Sequence, residues 1–526
     1  MKKLFVLVFA IALCLGALCI GASADYDENG FGNDGSYQPA TLDEHGVYQI
    51  GNVGQLYWFA DYVNKGNSDV NAELTTNITI NEDVLNEDGT LNGDGTNFRS
   101  WTSIDAFTGN FDGNGHTISG LYLYDSVSFL NTDYYTGMFE AVLGGTVKNL
   151  TLVDSYVAAE LATSGSHLIN VGGIFGVVNS ASTVSGCSFN GTVSAVSTSK
   201  TTMYVGGVCG WNEGKLQDLG FSGSLTVKNT DDNLSGQTVV TSYGGGICGY
   251  NIGTVESCIN RGTITGGGYN PTVGGICGFG GGDTNPGTIQ SCENYGQVTA
   301  ITEGANRNTC SAGGILGDGS SNINSCINKG YIHGANFAGG IAGMIRNGST
   351  ISSCSNSAKV VANYQAAGGI CGYVFGSTIS VRECINSGDI ELEDKSAGDE
   401  TGLGGICGKI SANSTTVVNC YNSGKLKGSQ GNADTMNIGG ICGMNGEIQY
   451  PNPIVMLNCC STGSITSPEQ GTVYEGGVYG SIEVEGTAKV EHCFWLDRDG
   501  TGGTASDRRT VRARRSGLRA EHVDLR

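Results

Sequence analysis

The chain has 526 residues, 49 acidic against 27 basic side chains for a formal net charge of -22, 87 glycines, six prolines and 19 cysteines. That charge, without a basic stripe, excludes a binder of nucleic acid or anionic membrane. Glycine at more than twice its usual ~7%, with little proline and no period of three, excludes collagen.

In chain order, Met1-Lys2-Lys3, the apolar run from Leu4 to Ile20 and Ala22-Ser23-Ala24 have the basic, apolar and small-residue parts of a secretory signal. The run is too short for a spanning anchor and polar sequence follows at once. Residues 1–24 are therefore expected to be removed near Ala24, leaving a chain that is secreted or held at the cell surface without membrane insertion. No LPxTG-type sorting signal lies near the C-terminus. Residues 25–45 read as an acidic, flexible N-terminus. Asp25, Asp27, Asn29 and Gly30 match the first half of an EF-hand loop, but its twelfth position is Ser36 instead of a bidentate Glu. Asp88 and Asp94 form a second acidic loop, and solvation is preferred to calcium binding at both.

Residues 46–155 are expected to form a cap and the first coils. Val53, Leu56, Ala60 and Val63 make a helical apolar stripe, with Tyr57, Trp58, Phe59 and Tyr62 beside it. A helix there would cover the open end of a stack of strands, whose bare edges otherwise template aggregation. The aromatic cluster suits core packing; its alternative is a sugar site. Further on, Asp112 and His116 in FDGNGHTISG are the most chemical-looking pair, and a turn-stabilising role is preferred for them.

From residue 156 to 503 the sequence repeats. Gly-Gly-apolar-x-Gly recurs ten times, with pairs starting at Gly172, Gly206, Gly245, Gly274, Gly313, Gly339, Gly368, Gly404, Gly439 and Gly476. Between them runs Cys-x-Asn-x-Gly-x-apolar, as CSFNGTV, CINRGTI, CENYGQV, CINKGYI, CINSGDI and CYNSGKL. Four or more glycines per unit argue against helix, and short parallel strands with tight turns at Asn-x-Gly fit better. One unit cannot bury an apolar face alone, so neighbours stack around a shared core. The expected fold is all-β, a parallel β-helix or β-solenoid of about ten or more coils with an N-terminal helical cap, its repeated Ile residues stacked inward.

Seventeen cysteines lie after Ala24: six in the glycine-pair column, nine in the Cys-x-Asn column, plus Cys310 and Cys460. Export favours disulfides, but the number is odd and these slots elsewhere hold Phe175, Leu316, Ala342 or Tyr479. Buried free thiols acting as small hydrophobes are preferred. With no Cys-x-x-Cys, metal is the least favoured reading.

The Gly-Gly-Ile-x-Gly core with T-I-x-x-C-x-N-x-G-x-V, together with the lead-in segments 48–66, 107–123 and 137–155, resembles the GLUG repeat of bacterial extracellular proteins. The resemblance spans roughly residues 40–500 and implies a β-solenoid outside the cell, without fixing one activity. Neither His-Glu-x-x-His nor Gly-x-Ser-x-Gly occurs, so no catalytic, cofactor or metal residues are assigned. The expected function is non-catalytic and adhesin-like: a monomer presenting the insertions 226–242, 299–311, 390–402 and 426–437 on one side to a glycan or a matrix or host protein. The alternative is a lyase-like polysaccharide enzyme. Residues 504–526 carry seven of the 13 arginines; this break in composition reads as a disordered tail outside the fold, of frameshift or fused origin.

Overall fold

The computed structural model describes residues 26–128, 132–162, 167–199, 201–230, 241–282, 284–302, 310–393, 400–429, 435–445, 454–468, 472–482, 488–496, 502–505 and 512–514. One coil illustrates the plan. Thr202–Gly206 leads into the glycine pair, Cys209–Asn212 follows it, Lys215–Gln217 comes next, and Gly220–Asn229 returns along the far side. Each strand pairs in parallel with its counterpart one coil later: Val205 with Gly244, Cys209 with Cys248, Leu216 with Val255 and Leu225 with Ile264. Four long parallel sheets result, called sheets 1 to 4 in that order. The fold is the expected β-solenoid. From Ile259 to Thr466 each sheet-4 strand is split in two, as in Ile259–Asn260 and Thr263–Gly268.

The glycine signature has a steric cause. Sheet 2 folds back against the outer side of sheet 1, and a Cβ on the first glycine would lie 2.0 Å from the Cys277 carbonyl oxygen at Gly274 and 1.9 Å from that of Leu316 at Gly313. A Cβ on the second glycine would strike the next coil and the asparagine column: at Gly314 it would lie 2.1 Å from the Gly340 oxygen and 2.4 Å from Asn328 Cγ. The two signatures therefore interlock. The isoleucines form the expected inward ladder, fully buried; the Ile315 amide donates to the Ile341 carbonyl at 2.8 Å and Ile341 to Ile370 at 2.9 Å.

The Asn-x-Gly element differs from its sequence reading. Its Asn and Gly do not adopt positive φ; that conformation falls on the residue before each Cys, with φ between 53° and 57° at Ser257, Ser291, Ser325, Ser353, Glu383 and Asn419. The asparagines point inward instead, forming a buried amide ladder. Asn260, Asn294, Asn328, Asn356 and Asn386 each donate to the next coil's Asn Oδ1 at 2.7–2.8 Å, ending at Asn422. In CSFNGTV the slot belongs to Phe189, stacked on Phe221, while Asn190 faces out. Hydrogen-bonding potential explains the choice, because a buried amide is costly unless both its ends are satisfied.

The helix α1, Val53–Asn64, caps the first coil as expected. The Asn52 side chain accepts from the Gln55 amide at its start. Phe59 is fully buried against Phe107 and Phe111, ring centroids 6.1 and 5.7 Å away. Residues 26–45 are not the expected flexible segment. Phe31 and Tyr37 pack edge-on to each other against the core, the Gly54 amide donates to the Asn29 carbonyl at 2.7 Å, and Thr41–Leu42 pairs antiparallel with Tyr48 and Gln49. At the other end, Gly502–Ala505 pairs antiparallel with Cys493–Leu496, and Arg512–Arg514 with the strand Thr472–Gly476. The expectation that everything beyond 503 lies outside the fold fails for these short pieces; the rest of 504–526, like residues 1–25, lies outside the described residues.

Candidate functional site

Side chains alternate across a strand and parallel strands stack about 4.8 Å apart, so the outer face of sheet 4 presents residues in fixed columns. One column reads Arg261, Tyr295, Lys329. The Arg261 guanidinium lies 4.7 Å and the Lys329 ammonium 4.6 Å from the Tyr295 ring centroid. Lys329 also donates to the Tyr295 hydroxyl at 2.9 Å and to Glu293 at 3.3 Å, and that hydroxyl donates to Glu293. Further along, Glu391 sits between Lys359, 2.8 Å away, and Lys427. Burial would raise its carboxyl, but the two ammonium groups outweigh it and hold Glu391 down at about 2. Tyr295, Tyr331, Ile385 and Tyr421 are exposed among these pairs, Ile385 by 49%. Five cations (Arg261, Lys329, Lys359, Lys425, Lys427) meet four carboxylates (Glu293, Asp389, Glu391, Glu393), leaving a nearly neutral apolar strip on a strongly acidic chain.

The same face is covered over the first coils. The Asp154 carboxylate accepts the Val84 and Leu85 amides at 2.9 Å, and the Thr192 hydroxyl donates to the Gly89 carbonyl at 2.6 Å, pinning the acidic loop across sheet 4. The open strip therefore begins near Arg261. The four long insertions leave from the end of sheet 4 and return at sheet 1, between Asn229 and Ser242, Ala300 and Ser311, Leu392 and Glu400, and Gly428 and Thr435, so their ends share one edge. Their central residues lie outside the described residues.

The residues singled out from sequence find structural partners. Asp112 accepts the Asn114 amide at 2.8 Å and the Asn149 side chain at 3.0 Å, and pairs with Lys148 at 3.0 Å. Burial opposes ionisation there, yet these partners hold the carboxyl below its ordinary value. The His116 amide donates to the Gly113 carbonyl at 2.8 Å, closing the turn that Asp112 caps, while its ring contacts Asn77 at 3.3 Å. Asp27 accepts the Asn29 and Phe31 amides, leaving Asn29, Gly30 and Ser36 in ordinary turn geometry, while Asp25 lies outside the described residues. Asp88 and Asp94 each accept from the amide and hydroxyl of the Thr two positions on. Among the described residues no three His, Cys, Asp or Glu side chains converge on a metal position, and no helix is long and apolar enough to cross a membrane. Tyr57 and Phe59 are buried, and Trp58 stacks on Tyr62 at 4.8 Å, in accord with packing.

The reading of the sequence missed the Arg261–Tyr295–Lys329 row, although aligning the residue between Asn and Gly in successive copies exposes it. It also missed Asp318, buried in the wedge between sheets 1 and 2, whose carboxylate accepts from Arg346 Nε and Nη2 at 2.7 Å each. No known family model matches the chain, and no curated protein matches it. Among solved structures it is similar to a Bacteroides ovatus protein provisionally named an immunoglobulin A1 protease, at 16% identity over 76% of this chain and 81% of that one, with a TM-score of 0.27. A likeness that low transfers neither activity nor substrate.

Proposed function

We propose that this is a secreted or surface-held bacterial solenoid of the GLUG-repeat kind, adhesin-like and non-catalytic, that binds an extracellular glycan or a matrix or host protein. The observation that supports this reading is the open strip of sheet 4. Tyr295, Tyr331, Ile385 and Tyr421 stand exposed on a face where Lys329, Lys359 and Lys427 are already paired with Glu293 and Glu391. Aromatic side chains held on a rigid lattice lose little conformational freedom when a ligand covers them, so such a strip favours binding. The insertions gathered along its edge would add selectivity.

The test is a glycan and matrix-protein array probed with the mature chain and with Tyr295→Ala/Tyr331→Ala, both side chains being exposed. A ligand captured by the parent and at least tenfold more weakly by the variant supports the proposal. Capture unaffected by the variant, or depolymerisation of an arrayed polysaccharide by the purified chain, overturns it.

A further inference from the structure

The sheet-4 thiols form a feature that the binding reading leaves unused. Eight of them, from Cys258 through Cys292, Cys326, Cys354, Cys384, Cys420 and Cys459 to Cys493, follow one another on successive coils, because the amide after each later Cys donates to the carbonyl of the Cys one coil before it at 2.9–3.0 Å and so stacks each thiol against the next. All eight are buried and free. The contact is close enough for the Cys258 amide to point at Cys292 Sγ and the Cys326 amide at Cys354 Sγ, 3.4 Å in both cases. Each thiol otherwise has only weak acceptors: Cys326 donates to the Asn324 carbonyl at 3.3 Å and the Ile289 carbonyl at 3.7 Å.

Stacked copies of one strand hold their Cβ atoms near the strand spacing of about 4.8 Å, beyond the 3.5–4.5 Å that a disulfide requires. Zinc needs four ligands around one point, and no three side chains converge here among the described residues. A linear two-coordinate ion faces neither obstacle. On the scale of the zinc–thiolate bond, about 2.3 Å, two metal–sulfur bonds end to end span about 4.6 Å. Thiolates select soft monovalent ions.

We infer that the Cys258–Cys493 column is a binding site for soft monovalent metal ions of the copper(I) and silver(I) class, each held between thiolates of adjacent coils. Two thiols release their protons to solvent and bind one ion, 2 RSH + M+ → [RS–M–SR]- + 2 H+, with no change of oxidation state. Because an inner thiolate can serve ions on both sides, an extended row balances charge better than an isolated pair, which matters in a dry core. Half-exposed Cys460 lies close to Cys493 at the column's end, offering a thiol from which an ion could pass inward.

Silver(I), which is redox-inert, tests this on the reduced, folded full chain. Protein-retained silver and released protons are measured for the parent and for two variants. Cys292→Ala/Cys354→Ala/Cys420→Ala interrupts the row, and Cys187→Ala/Cys310→Ala removes thiols without a neighbouring thiol. Counting one ion per adjacent pair, about seven along the intact row, the interrupted variant keeps only the Cys459–Cys493 pair and should bind about six fewer ions than the parent, and the other variant the same number as the parent. If the triple variant does not fold, Cys354→Ala, which removes two adjacent pairs, should lower the stoichiometry by about two. A folded interrupted variant that keeps the parent's stoichiometry, or a parent that retains no silver once unbound ion is removed, overturns the inference.

Discussion

Replacing Asn328 by Ala removes a central rung of the amide ladder. Its Nδ2 donates to the Gly330 carbonyl at 3.0 Å and to Asn356 Oδ1 at 2.8 Å. Its Oδ1 accepts the Gly330 amide at 3.2 Å and Asn294 Nδ2 at 2.8 Å. Four buried bonds at about 1 kcal/mol each give a loss of about 4 kcal/mol. The partners cannot recover this from water, since Asn294, Asn328 and Asn356 are at most 1% exposed. Urea unfolding of the chain measures the effect, with Asn328→Ala/Asn356→Ala as the companion. The two residues share one bond, so the double variant should lose less than the sum of the single losses. A single-variant loss below about 1 kcal/mol, or strict additivity, would mean that the ladder does not hold the coils together.

Gly314→Ala should destabilise severely, because its Cβ would lie 2.1 Å from a backbone oxygen of the next coil, whereas Gly282→Ala meets nothing within 4 Å and should be neutral; thermal melts of the two compare them directly. Ile341→Asp buries an unpaired charge in a coil that supports both neighbours, so loss of soluble expression is expected and normal stability would count against the ladder. Thiol titration of denatured, non-reduced protein should find most of the seventeen cysteines free, and fewer than about five would make the columns a covalent framework. Glu391 is depressed to about 2 from an ordinary value of 4.5, so its contribution is complete above the latter and lost as pH falls toward 2. Glu391→Gln should flatten the stability profile in that acid window, and an unchanged acid limb would show that the Lys359 and Lys427 pairing contributes nothing.

The sequence alone determined that this chain is a solenoid. A Gly-Gly pair returning every 26 to 39 residues, with β-prone segments between, leaves stacking as the only way to bury the apolar residues. The inward isoleucine ladder and the capping stripe at Val53–Val63 were legible for the same reason, since both are local periodicities. What Asn260 and its successors do was not. A lone Asn-x-Gly reads as a turn, and only when six coils are superposed does the side chain gain a partner above and below and a glycine floor beneath it. Likewise Glu391 meets Lys427 at a separation of 36 residues, and Arg346 meets Asp318 at 28. Insertions of unequal length hide these columns from any fixed sequence spacing. The backbone hydrogen bonds between coils restore the register, because they align strands and not residue numbers, and so the tertiary structure decided which charges pair, which thiols touch and which face of sheet 4 stays open.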